Sequence, residues 1–316
     1  MAERALVTGG GGFIGHHLVR RLLANGHDVR VLDNFSTGRR ERLKGLDVGL
    51  VEGDLRSYER AHAAVRGTNV VFHLGALPSV PRSVQDPLTT SAVNVEGTLN
   101  VLLAARDEDV RRVVFASSSS IYGANPVLPK TEDDQPLPIS PYGVSKLSAE
   151  HYCRAFTAVY GLETVSLHLF NVFGPGQDPL SQYAAVVPRF IAAFASETRP
   201  TVYGDGTQTR DFTYVDDVVE AFLLAADTPK AGVGEVFNVA AGRETSILSL
   251  IAALTELFGS TLEPQLQPSR PGEVQHSWGD ATKADRNLGW TPKWSITNAL
   301  QECVAAYTPG AEPVPR

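Results

Sequence analysis

Four consecutive glycines between a short apolar run and a helical pattern constrain this chain more than any other feature. Residues Arg4 to Val7 read as a short buried strand, and Thr8-Gly9-Gly10-Gly11-Gly12-Phe13-Ile14-Gly15 follows at once. Apolar positions Leu18, Val19, Leu22 and Leu23 then recur at helical spacing up to a stop at Asn25-Gly26. Strand, glycine turn and helix form the opening unit of a dinucleotide-binding fold. Gly9, Gly12 and Gly15 stand three apart. That spacing allows a tight turn, close approach of backbone to a pyrophosphate and close helix–strand contact. The free N–H groups at the helix start then face the phosphates, with Phe13 and Ile14 beside them.

The next elements continue the pattern. Val29 to Asp33 reads as a second strand ending in a carboxylate, placed to accept both hydroxyls of an adenosine ribose and to repel a 2′-phosphate. This favours NAD, with NADP the alternative because Arg39 and Arg40 follow closely. A third strand, Val48 to Val51, leads to Asp54, which reads either as an adenine contact or as the cap of a Ser57–Val65 helix. Asn69 to His73 is a fourth strand, followed by the small-residue stretch Leu74-Gly75-Ala76, and His73 reads as a packed strand-end residue. A helix is expected from Pro87 to Arg106, carrying Asn94, and a fifth strand from Arg111 to Ala116. The expected class is α/β: a Rossmann-type doubly wound parallel sheet over residues 1–170, with a smaller C-terminal α/β substrate lobe over 171–316, some of whose segments return to the first domain.

Composition excludes several function classes. The 28 Lys and Arg against 35 Asp and Glu leave a net charge of −7, which argues against general nucleic-acid binding. The only two cysteines, Cys153 and Cys303, suggest neither a disulfide framework nor a zinc site. No apolar run approaches the ~18 residues of a membrane span. Met1 to Arg4 leads straight into a strand with no room for a signal peptide, so a cytoplasmic protein is expected.

Chemistry enters with Tyr142 and Lys146, four apart and on one face of a helix that opens at Ser140-Pro141. A nearby ammonium favours the phenolate and lowers a tyrosine pKa, giving a pair that takes a proton from an alcohol and returns it. Ser117, Ser118, Ser119 and Ser120 close the fifth strand at its carboxyl end, where ligands of such sheets bind. Taken in order, TGGGGFIG, DNFSTG, EGDL, SSSSIYG and YGVSK resemble the extended short-chain dehydrogenase/reductase superfamily, and within it the NAD-dependent nucleotide-sugar 4-epimerases. The resemblance implies Tyr142 as catalytic base, Lys146 on the nicotinamide ribose and Ser118 on the reacting hydroxyl, with Ser119 and Ser120 near the sugar. It also implies cofactor contacts from Asn34, Ser36, Thr37 and Gly38, and from Asp54 and Leu55. Leu74, Ala76, Asn94, Ser117, Phe170 and Val172 complete that set. A homodimer formed through the Asn94 and Tyr142 helices is implied as well.

The C-terminal third bears on substrate. By the resemblance, Asn171 reaches a sugar diphosphate, and Ser79, Val187 and Tyr203 line the substrate site. A short strand and glycine turn, Val202 to Arg210, deliver Arg210; Arg270 with Glu273 would add a second guanidinium and a ribose acceptor. Asp216-Asp217 reads as a helix cap, and Trp278, Trp290 and Trp294 as packing for the small lobe. The serine loop holds no acid of the dehydratase kind, and Asn171 stands where uronate epimerases tend to have threonine. Ser277 occupies a position at which glucose-restricted enzymes carry tyrosine, leaving room for an N-acetyl group; the Pro78–Ser83 loop also resembles the N-acetyl-accepting enzymes, with Pro78 in place of their glycine. The expected activity is 4-epimerisation of a UDP-hexose, UDP-GlcNAc/UDP-GalNAc and also UDP-glucose/UDP-galactose. A nucleotide-sugar dehydratase or reductase, and a non-catalytic NAD sensor, are the alternatives.

Overall fold

The computed structural model describes residues 3–180, 185–228, 232–269 and 274–307. Its strands are β1 (Arg4–Thr8), β2 (Asp28–Asp33), β3 (Val48–Glu52), β4 (Val70–His73), β5 (Arg112–Ser118), β6 (Glu163–Leu169), β7 (Thr201–Tyr203), β8 (Thr209–Arg210), β9 (Val236–Val239), β10 (Thr245–Ser246), β11 (Gln265–Gln267) and β12 (His276–Ser277). Seven of them form one parallel sheet in the order β3-β2-β1-β4-β5-β6-β9. Every residue of β4 and β5 is buried, as a sheet covered on both faces requires. The order reverses between β1 and β4, and the crevice beyond their carboxyl ends is where such sheets take ligands.

The helices are α1 (Phe13–Ala24), α2 (Tyr58–Val65), α3 (Val80–Gln85), α4 (Pro87–Ser91), α5 (Gly97–Asp107), α6 (Pro141–Tyr160), α7 (Val186–Ala195), α8 (Val215–Asp227), α9 (Ile247–Phe258), α10 (Thr282–Leu288) and α11 (Ile296–Ala306). Leu18, Val19 and Leu22 of α1 cover one sheet face with Val218 and Phe222 of α8. Ala61, Val101, Leu102, Ala149 and Cys153 of α2, α5 and α6 cover the other. A separate core of Phe190, Phe194, Leu250, Leu254 and Leu300 joins α7, α9 and α11 into the smaller lobe. Three short strands in the order β10-β8-β12 and the pair β11-β7 complete the small sheets. The C-terminal third therefore gives β9, α8 and α10 back to the large sheet, because their apolar faces match it.

Several expectations change. The helix expected from Pro87 to Arg106 is interrupted: residues Ala92–Glu96 form a π-helical turn between α4 and α5. The Pro78–Ser83 stretch, expected as a loop, becomes helical from Val80, with the Ser79 hydroxyl accepting from Arg82 N. Strand β5 runs through Ser118, and Ser119–Ile121 is a 3-10 turn. Asp217 does not cap its own helix: its carboxylate accepts from Lys293 N and Trp294 N, tying the C-terminal segment to α8. Trp290 is 1 % exposed and packs with the core of the large sheet, its indole donating to Asp217 O at 2.8 Å. Trp294 does sit in the small lobe, 4.5 Å from the Tyr214 ring.

His73 is a packed strand-end residue, as expected, yet it has two partners. Thr98 Oγ1 donates to Asn94 O, so it accepts from His73 Nε2 at 2.9 Å; Nδ1 then accepts from Thr8 Oγ1 at 2.7 Å. Burial lowers the His73 pKa from 6.5 to about 3, with Lys146 adding to the effect. His16, buried under the glycine turn, is lowered to about 3 by burial, with His17 and Arg42 adding to it. Between those values the unfolded chain binds more protons than the native one, so stability is fully present above pH 6.5 and is lost as the pH falls. At pH 5 each histidine then costs about 2 kcal/mol relative to pH 7. Calorimetric melting at the two pH values is expected to show that loss, and His73→Gln is expected to flatten it.

Candidate active site

A cleft of about 520 Å³ runs across the carboxyl ends of the large sheet. One end is built by the glycine turn. Gly9, at φ +71°, accepts from Gly12 N at 2.9 Å, and α1 begins at Phe13 with no side-chain cap on its start. A Cβ on Gly15 would lie 2.2 Å from Gly9 O and 2.9 Å from Gly10 Cα, both rigid backbone, so α1 approaches β1 only because that side chain is hydrogen. The first turn of α1, without a side-chain cap, lines the cleft through Phe13, Ile14 and Gly15.

Asp33 closes the next part. Its carboxylate accepts from Gly11 N at 2.9 Å and Phe35 N at 2.7 Å and lines the cleft with Asn34, Ser36, Thr37 and Gly38. Burial raises its pKa against those bonds. The two arginines that left NADP open are both paired: Arg39 with Asp178 at 2.6 Å, and Arg40 with Glu52 while its guanidinium lies 4.5 Å over the Phe35 ring. Asp54 lines the cleft, accepts from Asn34 Nδ2 and Arg56, and is lowered to about 2 chiefly by Arg56. Ser57, not Asp54, caps α2. Leu55, Leu74, Gly75 and Ala76 form the opposite wall. A glycine cradle, a helix start and an acid at the end of the second strand fit NAD.

The same end is covered by the segment after Gly174. Arg42 donates to Gly11 O at 3.1 Å and Gly176 O at 2.6 Å, and His17 Nε2 lies 2.9 Å from Pro175 O. Gln177 and Asp178 line the cleft together with Gly38 and Arg42. The sequence reading missed Arg42, Arg82, Gln177 and Asp178. Arg42 lay two residues past the two arginines it weighed, and nothing local marks Asp178 as their partner.

Tyr142, Lys146 and Ser117 to Ser120 meet at the other end. Ser140 caps α6 by accepting from Gly143 N, and Tyr142 N donates to Ser83 Oγ at 3.0 Å, so α3 holds the start of α6. Burial raises the Tyr142 pKa, and a hydrogen bond with Ser118 opposes it. Lys146 Nζ donates to Ala116 O at 2.9 Å, and burial lowers it to about 8. Where the Tyr–Lys spacing leads one to expect a lowered phenol, burial shifts Tyr142 upward with Ser118 opposing, and the Lys146 ammonium is engaged by a carbonyl. Ser118 Oγ lies 3.1 Å from Ser120 Oγ, and Ser117 donates to Glu150 at 2.6 Å.

Ser79, Asn171 and Val172 also line the cleft. Other expected contacts lie behind or beside it. Asn94, 1 % exposed, accepts from Leu77 N at 2.7 Å and donates to Ser145 Oγ at 3.0 Å, so its π-helical turn fixes a wall residue instead of lining the wall. Phe170 is fully buried with Tyr122 and Ala240, and Val187 belongs to the small-lobe core. Tyr203 lines a second, separate pocket with Gln208, Gln267 and Ser269. Arg210 and Ser277 are register partners in the small sheet, with Arg210 donating to Thr209 O and Gln275 O. Arg270 and Glu273 lie outside the described residues. Among the described residues no group of three His, Cys, Asp or Glu is placed to hold a metal ion, and no helix is long and apolar enough to cross a membrane.

Comparison with known proteins agrees with this arrangement. Residues 5–240 match the model of the NAD dependent epimerase/dehydratase family. A UDP-glucose 4-epimerase of Mycolicibacterium smegmatis is 40% identical over 96% of this chain and 98% of its own. The UDP-glucose 4-epimerase of Thermotoga maritima, solved with UDP-glucose, superimposes with a TM-score of 0.92 at 39% identity, covering 96% of this chain and 97% of its own. The UDP-N-acetylglucosamine 4-epimerase of Methanobrevibacter ruminantium, solved with UDP-N-acetylmuramic acid, gives 0.91 at 36% identity, covering 96% and 98%.

Two outcomes follow from the cofactor end. Gly15→Ala is expected to abolish dinucleotide retention, measured as NAD content after gel filtration, because neither Gly9 nor Gly10 backbone can yield. Asp178→Ala is expected to leave the melting temperature within a few degrees but to speed NAD loss about tenfold on dilution, since one exposed-edge ion pair contributes little to folding yet holds the covering segment.

Proposed function

The chain belongs to the NAD dependent epimerase/dehydratase family, and from that premise we propose that it interconverts UDP-hexoses at carbon 4, accepting UDP-GlcNAc/UDP-GalNAc alongside UDP-glucose/UDP-galactose. The observation that carries the reading is the meeting of Tyr142, Ser118 and Lys146 at one end of a cleft whose other end is a dinucleotide cradle. The carboxylates lining that cleft, Asp33, Asp54 and Asp178, all stand at the dinucleotide end. Around Tyr142 the described lining offers hydroxyls from Ser79, Ser118, Ser119 and Ser120 instead. Proton transfer to one alcohol fits that set; elimination of water, which calls for an added acid or base, does not.

When bound, NAD would supply the hydride chemistry at carbon 4 with no net redox change. The glycine turn, the start of α1 and Asp33 would hold it. Tyr142 acts as the phenolate: its Oη takes the 4-hydroxyl proton and gives it back to the 4-keto sugar, with Ser118 opposing the cost of burying that charge. Ser118, already bonded to Tyr142, orients that hydroxyl and stabilises negative charge on its oxygen. Lys146, fixed on Ala116 O, keeps a positive charge beside the phenol during proton removal. Asn171, at the cleft wall, is placed to contact the diphosphate while the keto sugar turns over, and Arg210 would reach it from the small sheet beside the cleft.

Both sugar classes are consistent with the small residues at that end, and the relatives named above cover both. Two copies are inferred to pair through α4 and α6, where Leu88 is 83%, Val144 50% and Tyr152 40% exposed.

Proton NMR of the purified protein with UDP-GlcNAc or UDP-glucose, without added cofactor, is expected to reveal the galacto epimer; its absence from both reactions overturns the reading. Tyr142→Phe is expected to lower kcat by about 10²–10⁴-fold with folding and NAD content intact. Ser277→Tyr is expected to cost activity on the acetylated substrate selectively, and an equal loss on both sugars refutes the size argument.

A further inference from the structure

Asp211 is fully buried, and its carboxylate is spent entirely on backbone. Oδ1 accepts from Ala241 N at 2.7 Å; Oδ2 accepts from Gly242 N at 3.0 Å and Gly279 N at 3.3 Å. The Arg243 N–H faces it too, and burial raises its pKa to about 6 against these bonds. A buried carboxylate is costly unless hydrogen-bonded on several sides. Here it joins chain segments that no ladder joins: the run leaving β9, and the segment after β12. Its own carbonyl accepts from Asn171 Nδ2 at 3.1 Å, and Asn171 lines the cleft. Arg210 precedes it, in register with Ser277.

We propose that Asp211 is a positioning residue for the substrate side of the cleft, setting Asn171 and Arg210 through the backbone it gathers. Only a carboxylate offers enough lone pairs for four N–H groups at one point. A neutral amide in its place turns an N–H₂ toward Gly242 and Gly279, which are themselves donors. The main chain at 211 then shifts, and with it the carbonyl that orients Asn171. The dinucleotide end, built by α1, β1 and β2, shares none of these bonds. This inference rests on the reading of the cleft as a UDP-sugar site.

The test compares the native enzyme with Asp211→Asn, Asn171→Ala and the double variant, measuring KM and kcat for UDP-glucose, the Kd of UDP by calorimetry, and bound NAD. Asp211→Asn is expected to raise KM and the UDP Kd about tenfold, equivalent to ~1.4 kcal/mol, with kcat within threefold and NAD content unchanged. Asn171→Ala is expected to weaken binding in the native background and to add little in Asp211→Asn, the mark of one residue acting through the other. Additive effects, an unchanged UDP Kd, or a fall in kcat with loss of NAD overturn the inference. If Asp211→Asn does not fold, Gly242→Ala tests the same contact: a methyl there has room, but φ of +69° strains it and displaces one donor. Its KM is expected to rise likewise, and an unchanged value counts against the proposal. If the native protein binds no UDP, the functional reading fails; if it binds UDP and the variants bind equally well, only this inference fails.

Discussion

A buried hydrogen-bond network fixes the helix on which the chemistry depends. Glu150, 4% exposed, accepts from Ser117 Oγ at 2.6 Å and His168 Nε2 at 2.7 Å. Tyr122 donates to Asn238 Oδ1 at 2.7 Å, and its oxygen lies 2.9 Å from His168 Nδ1. Glu150 lies four residues beyond Lys146 and eight beyond Tyr142, on one face of α6. Leaving a buried acceptor without its donors typically costs about 1–3 kcal/mol, and more for a carboxylate. The rotation of α6 about its axis is therefore set by a network running through β5, β6 and β9. Rotating α6 to move Tyr142 away from Ser118 would break it.

The two ends of the cleft are held by different physics. The dinucleotide end depends on steric closeness: hydrogen at Gly15, and backbone N–H groups left free at a helix start. Around it, charge is neutralised locally, Arg39 by Asp178 and Arg40 by Glu52. The sugar end depends on burial, which raises the phenol of Tyr142 and lowers the ammonium of Lys146, disfavouring the charged form of each. A cofactor that must stay through a full cycle suits a cradle closed by a covering segment.

Local signals were legible where a residue's own backbone or its near neighbours carry the function. The glycine spacing, the acid closing β2 and the Tyr–Lys pair on α6 all sit where the sequence reading put them. Residues whose role depends on a distant partner were misplaced. Asn94, expected beside the cofactor, supports Leu77 and Ser145 from a π-helical turn, which no helical periodicity reveals. Asp217 was read as a cap because acids favour helix starts, while its acceptors serve Lys293 and Trp294. Trp290 was assigned to the small lobe by its place in the chain, although its apolar surface matches the larger core.

By itself the sequence determined the strand–turn–helix order, the parallel sheet and the chemistry available at its carboxyl edge, because these follow from periodicity and from what glycine permits within a few residues. Tertiary structure alone decided which arginines are neutralised, which way the Tyr142 pKa moves, and that Asp211 and Glu150 are hubs. Those properties arise from burial and from partners tens of residues away, and neither is written in any local stretch of the chain.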